Sequence, residues 1–345
     1  MPDSSLVSSR KDDHIRINLD KDVSSTITTG LEFIRLQPRA LPEINLDDVD
    51  VTTSLFGKKI NAPILISSMT GGTDEAQKIN RVLAEAAQTC GVAMGVGSQR
   101  AAIENPALGK TFNIRSYAPD IVLFANLGAV QLNYGFGVEE CRRAVEMIGA
   151  DALYLHLNAV QEAVQPEGNT RFSGLLKKIE TVCRHLDVPV FIKEVGWGIS
   201  GEDAVRLAGA GVAGIDVAGA GGTSWSQVEM HRIEEPYRAH IAAAFHGWGI
   251  PTARSIRMVR EAVPELMIFA SGGLKDGVDA AKCLALGASL CGFASPLLKT
   301  AAVSTEATAR MINALQQEIR ICLFGCGKTS LDAFRWDPKV IQVEG

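Results

Sequence analysis

The sequence predicts an α/β fold, a (β/α)8 barrel preceded by an N-terminal arm and a hairpin. Two observations carry this. From Pro63 onward, short apolar runs of the kind that form strands buried on both faces recur eight times, separated by segments of helical period. The polar residues that could do chemistry gather at one end of those runs, where α/β barrels build their sites. A chain of 345 residues, 46% of them apolar, is long enough to bury such a core.

In chain order, residues 1–35 are polar and carry the charge cluster Arg10-Lys11-Asp12-Asp13-His14, which reads as a mobile arm. The alternating Val51-Thr52-Thr53-Ser54-Leu55-Phe56, a Gly57-Lys58 turn and Lys59-Ile60 predict a hairpin, placed to plug the N-terminal mouth of the barrel. Arm and hairpin, 1–60, thus precede a barrel over 61–345. The strand-like runs are 63–68, 92–98, 121–127, 152–158, 190–195, 214–218, 267–271 and 290–294. Helical stripes lie between them, such as Leu175, Leu176, Ile179, Val182, Cys183 and Leu186. Ser200 with Asp203, and Asp276 with Asp279, have the spacing of helix starts, and glycines at 91, 149, 211 and 287 fall where helices should stop. Residues 223–250 form a long connection rich in His and Trp, with room for a lid. A last amphipathic helix is expected over 305–323.

Composition removes some classes of function. A net charge of −5 leaves no basic footprint for nucleic acid. The seven cysteines are scattered without paired spacing; Cys90, Cys183 and Cys283 fall on apolar helical positions, and Cys322 and Cys326 lack further ligands for a metal. The start has no signal-peptide core, and the longest late uncharged run, between Lys282 and Lys299, is too short and Gly-rich to span a bilayer. The expectation is a soluble, cytoplasmic protein in a reducing compartment.

The fourth run ends in Leu153-Tyr154-Leu155-His156-Leu157-Asn158-Ala159-Val160-Gln161-Glu162, an imidazole, two amides and a carboxylate within seven positions. An ordinary polar loop would look similar, but the pattern recurs at every strand end: Ser67-Ser68-Met69-Thr70, Gly97-Ser98-Gln99-Arg100, Asn126, Lys193-Glu194, Gly221-Gly222-Thr223, Ser271-Gly272-Gly273 and Ala294-Ser295. The last two follow strands seven and eight, the usual phosphate site of such barrels, with Thr223 able to add a hydroxyl; close packing of small residues is the competing explanation. Lys193 emerges from an apolar strand and would be costly to bury unpaired. It suits a Schiff base, a partner for Glu162 or Glu194, or a counter-charge to a bound anion. Arg100 and His156, from adjacent strand ends, are candidate donors to a polyanion; Arg10 and Lys11 also read as a solvated cluster.

Together, Arg10-Lys11-x-x-His14, Ser68-Met69-Thr70-Gly71-Gly72, Gly97-Ser98-Gln99-Arg100, His156-x-Asn158-x-x-Gln161-Glu162, Lys193-Glu194-Val195-Gly196-Trp197-Gly198 and Ser271-Gly272-Gly273 resemble the type 2 isopentenyl-diphosphate isomerases, over nearly the whole chain. The resemblance implies an FMN-binding barrel that uses reduced flavin, NADPH as reductant and Mg2+ to interconvert isopentenyl and dimethylallyl diphosphate, as a tetramer or octamer. It implies FMN contacts from Ser67, Ser68, Met69, Thr70, Ser98, Asn126, Lys193 and Thr223, with the flavin phosphate at Gly272, Gly273, Ala294 and Ser295. Substrate diphosphate would fall to Arg10, Lys11, Ser98, Gln99, Arg100 and His156. Asn158 and Gln161 would also contact substrate, and Glu162 would hold the metal. Catalytic roles would fall to Gln161, Glu162 and Lys193. Two other readings compete. One is an FMN-dependent 2-hydroxy-acid oxidase or dehydrogenase using His231-Arg232; the other is a non-catalytic phosphate-binding barrel.

Overall fold

Eight parallel strands close on themselves in chain order. They are β1 (Ile64–Ile66), β2 (Ala93–Gly95), β3 (Leu123–Gly128), β4 (Ala152–His156), β5 (Val190–Lys193), β6 (Gly214–Asp216), β7 (Met267–Ala270) and β8 (Leu290–Phe293). Each falls within one of the eight apolar runs, and nearly every strand residue is buried. The computed structural model describes residues 4–343, the side chains of residues 1–10, 12 and 343 excepted. Among the described residues no helix is long and apolar enough to cross a membrane.

Side chains alternate in and out along a strand, so residues two apart stack as layers within the barrel. The lower layer is aromatic. Phe124 stacks on Tyr154 with ring centroids 4.6 Å apart, and Phe191 on Phe269 at 5.0 Å. A Cβ on Gly214 would meet the Phe191 ring at 2.4 Å, so β6 has room for no side chain there. Two residues further along the same strands the layer is polar: Asn126, His156, Lys193, Asp216 and Ser271.

Below the aromatics lies a hairpin, Thr53–Leu55 paired antiparallel with Lys58–Ile60. Its turn is Phe56-Gly57, one position earlier than the sequence reading put it, and both residues have positive φ, +53° and +75°, as the tight hairpin turns require. Leu55 and Ile60 pack with the lumen aromatics, and the Phe56 ring lies 6.0 Å from both Phe124 and Phe191.

Outside the barrel, helix Gly201–Gly209 is capped by Ser200, whose hydroxyl accepts the Asp203 N–H; Asp276 does the same for Gly277–Ala285. The last long helix is Thr305–Gly325. The expected mobile arm is a correction: Ser4–Asp20 form a helix across the open mouth. Its Ile15 and Ile17 are buried, while Lys11, His14 and Asn18 face inward. The long connection is folded too, as helices Trp225–Arg232 and Pro236–Ala243, the first packed against the N-terminal helix.

Candidate active site

A cavity of about 290 Å3 opens at the carboxyl ends of the strands, and residues following all eight of them line it. The N-terminal helix supplies Lys11, His14, Ile15 and Asn18. Of the residues singled out in the sequence, Ser67, Ser68, Met69, Thr70, Ser98, Arg100, Asn126, His156, Asn158, Gln161, Glu162, Lys193, Thr223, Gly272, Gly273, Ala294 and Ser295 all reach its wall.

Gln99 does not, and is a correction. It is fully buried, with its amide donating to the Ala144 carbonyl at 2.8 Å and its oxygen accepting the Asn126 N–H at 2.9 Å. It ties β3 to the next helix, turned away from the cavity between two polar cavity residues. The Arg10 side chain lies outside the described residues. Lys11 donates to the Ser98 carbonyl at 3.0 Å and sits over the Phe112 ring. His231 and Arg232 are absent from the cavity wall; Arg232 is engaged by Glu229 at 2.8 Å and Glu167 at 2.7 Å.

On the β1 and β8 side, Ser67 and Ser68 hold buried hydroxyls with no partner among the described residues. Glycine makes room for both: a Cβ on Gly292 would meet Ser67 Oγ, and one on Gly95 Ser68 Oγ, each at 2.5 Å. Opposite, the β7 loop is seated on the β6 loop. A Cβ on Gly273 would lie 2.6 Å from the Gly221 backbone, and one on Gly272 2.1 Å from the Gly219 carbonyl. Loop packing therefore requires these glycines, alongside any ligand they receive. The groups present fit an FMN: hydroxyls unpartnered among the described residues, glycine backbone at the cavity wall, and the Lys193 cation.

Lys193 pairs with neither Glu162 nor Glu194. Its partner is Asp216, directly across the β5–β6 ladder, with Nζ 3.2 Å from Oδ2. Glu194 instead accepts the N–H groups of Val195, Gly196 and Trp197. Burial raises its carboxyl to about 7 against those three hydrogen bonds.

The β4 end is a polar net. Asn158 Nδ2 donates to Gln161 Oε1 at 3.2 Å and to Glu162 Oε1 at 3.0 Å, and the Asn169 N–H holds the other Glu162 oxygen. Gln161 Nε2 donates to Glu229 Oε1 at 3.0 Å, and His14 meets that same oxygen at 3.1 Å. Burial works against ionisation of Glu229, but His14, Arg232 and Gln161 prevail and bring it down to about 2. His156 Nδ1 lies 2.8 Å from Asn126 Oδ1. Burial, then the Lys193 and Lys11 charges, push its imidazole down to about 4, so it is neutral at pH 7.

Asp216 and Glu229 were not singled out in the sequence. Asp216 had a signal, as the lone carboxylate in an apolar strand one ladder step from Lys193. Glu229 had none, because its partners come from residues 14, 161 and 232. Among the described residues no cluster of three or more His, Cys, Asp or Glu forms a metal site.

Barrel and cavity together are those of a flavin-type enzyme: residues 20–110 and 155–342 match the family described as FMN-dependent dehydrogenase. Solved structures of a variant mandelate oxidase (19% identical, TM-score 0.67, covering 99% of this chain and 100% of that one) and of a variant flavocytochrome b2 (16%, 0.66, 99% and 85%) share the fold. The chain belongs, more narrowly, to the isopentenyl-diphosphate delta-isomerase family. It is 53% identical to the isomerase of Synechocystis sp. over 93% of both chains, and 52% identical to that of Nostoc sp. over 96% of this chain and 95% of that one. The isomerase of Rickettsia africae is 49% identical over 96% and 97%.

Proposed function

We propose that the protein interconverts isopentenyl and dimethylallyl diphosphate with reduced FMN. The observation that carries this reading is full-length kinship to named isomerases in a chain whose cavity holds Gln161 and Glu162 beside a ring of cationic and amide donors. The 2-hydroxy-acid oxidase reading loses its His-Arg pair, since neither residue reaches the cavity.

In this reading FMN rests on Ser67, Ser68, Met69, Thr70, Ser98, Asn126, Lys193 and Thr223, with its phosphate at Gly272, Gly273, Ala294 and Ser295. Bound and reduced, it supplies the group that gives and takes the allylic proton. Lys11, Arg100, Ser98 and His156 bind the diphosphate, joined by Arg10. Gln161 contacts the carbon skeleton; its amide is a poor proton carrier but is held in one orientation by Asn158 and Glu229. Thr223 also donates to Asn18 of the N-terminal helix at 3.4 Å, which joins the β6 loop to that helix at the mouth.

In this reading Glu162 would hold Mg2+. A carboxylate beside a diphosphate is repulsive unless a cation lies between, and Mg2+ takes few protein ligands, completing its shell with phosphate oxygens and water. Asn158 Nδ2 and the Asn169 N–H each hold one Glu162 oxygen, which fixes the carboxylate that would meet the ion. NADPH is assigned as reductant, needed to activate the flavin and not consumed at each turnover, because the isomerisation is redox-neutral.

The test is the visible spectrum of the purified protein before and after dithionite, followed by anaerobic turnover of isopentenyl diphosphate. A flavin spectrum, and product in large excess over NADPH consumed, is the expected result. Colourless protein that cannot take up FMN, or NADPH consumed one-for-one with product, would overturn the reading.

A further inference from the structure

An ion pair stands in the polar layer of the barrel and its acidic half does not reach the cavity. Asp216 is fully buried and absent from the cavity wall, while its partners Lys193 and Ser271 both line it. Lys193 Nζ is 3.2 Å from Asp216 Oδ2 and donates to Ser271 Oγ at 3.3 Å; the Ser271 hydroxyl in turn donates to Asp216 Oδ1 at 2.6 Å. The three side chains therefore form a closed triangle across β5, β6 and β7. The Ala218 N–H adds a bond to Asp216 Oδ1 at 3.2 Å, at a residue with φ +37°.

Taking two charges out of water is expensive, and apolar residues of similar size often serve stability as well or better. The layer just below is built that way, from Phe124, Tyr154, Phe191 and Phe269. Stability alone therefore gives no reason for an ion pair at this level. Lys193 alone would be a cation in a barrel wall with few competing charges. His156, facing it from β4, is neutral; Glu194, its neighbour, has its carboxylate turned to three backbone N–H groups; Tyr154, near Asp216, stays un-ionised because burial pushes its hydroxyl up. Asp216 is the counter-charge its position requires.

We propose that Asp216 is a positioning residue that holds the Lys193 ammonium at the cavity wall as a fixed positive charge for the reduced flavin. This rests on the FMN reading above. It acts through Lys193, and that dependence distinguishes it from a residue that only supports the Ala218 turn.

The test is a double-mutant cycle of Asp216→Asn and Lys193→Met, read by the midpoint potential of bound FMN. Lys193→Met removes the cation and lowers the reduced-to-oxidised ratio at a given potential tenfold or more, about 30 mV for a two-electron couple. Asp216→Asn in the wild-type background also lowers the potential, because the ammonium loses its anchor. In the Lys193→Met background the same substitution raises it, because there it removes a lone buried negative charge. A lowering of equal size in both backgrounds, or no change in wild type, overturns the proposal. The second arm needs no flavin. In apoprotein each single variant melts below wild type and the double variant recovers part of the loss; a loss equal to the sum of the singles also overturns it. Wild-type protein that binds no FMN would instead count against the functional reading, leaving the melting cycle to decide the pair.

Discussion

The floor of the barrel and the layer above it are built by the same strands, two residues apart, and follow opposite rules. Phe124, Tyr154, Phe191 and Phe269 form a dry aromatic floor sealed by the hairpin. One alternation further along, the same strands present Asn126, His156, Lys193 and Ser271 to the cavity. Few of the chain's residues are aromatic, 6%, yet four rings meet in this one plane. The lesson is that stability and chemistry are separated here by one strand repeat of roughly 7 Å, without a domain boundary.

The largest expected effect tests the floor. Phe191→Ala removes a fully buried ring packed against Phe124 and Phe269, and should cost about 3–5 kcal/mol in urea unfolding. Molecules that remain folded should keep their flavin and substrate affinities; loss of both at low denaturant would show that the layers are not separable.

Glu162→Gln tests the layer above. The shape is kept and the charge removed, so stability and FMN affinity should change little, while kcat/KM falls about 100-fold, some 2.7 kcal/mol in the barrier. Its magnesium midpoint should rise as well. Superimposable magnesium titrations for wild type and variant would reassign Glu162 to substrate contact alone.

The smallest effect is in pH dependence, where two groups at the upper level oppose each other. His156 has a folded value of about 4, below its ordinary 6.5, so its contribution is present above 6.5 and is lost as pH falls towards 4. Glu194 has a folded value of about 7, above its ordinary 4.5, so its contribution is present below 4.5 and is lost as pH rises towards 7. Each slope is at most about 1.4 kcal/mol per pH unit, and they have opposite sign between pH 5 and 6.5. Wild-type stability should therefore be nearly flat there. His156→Gln should gain stability on acidification, and Glu194→Gln should lose it. Unfolding curves at pH 6.5 and 5 decide this, and parallel behaviour of the two variants would refute the assignment.

How much of this was legible in the sequence follows from burial. Strands buried on both faces leave an apolar run that can be counted, so all eight were found, though several runs extended past the last ladder bond. The cavity residues were legible because strand ends interrupt that pattern. The N-terminal helix was not: Lys11, His14 and Asn18 face the cavity, so the helix buries polar groups and shows no apolar stripe. Gln99 was misread because it lies between Ser98 and Arg100, which do face the cavity, while its own side chain turns into the wall. The partner of Lys193 was sought in Glu162 or Glu194 and is Asp216, at a register position on the next strand that a linear reading does not display.

One pairing outside the barrel bears on how such a molecule is made. Ile34–Leu36 form a two-stranded ribbon with Ile341–Val343, segments about 300 residues apart, and β1 closes the ring only against β8. On a ribosome emitting the chain from its amino end, the early segments must wait until residues 290–343 have been made before their partners exist. Until then one edge of the growing sheet stays open, with the aromatic plane unsealed on that side. Closure therefore waits for β8, and until it is made the half-formed barrel exposes apolar surface and an unpaired strand edge, the features that make folding intermediates prone to aggregate.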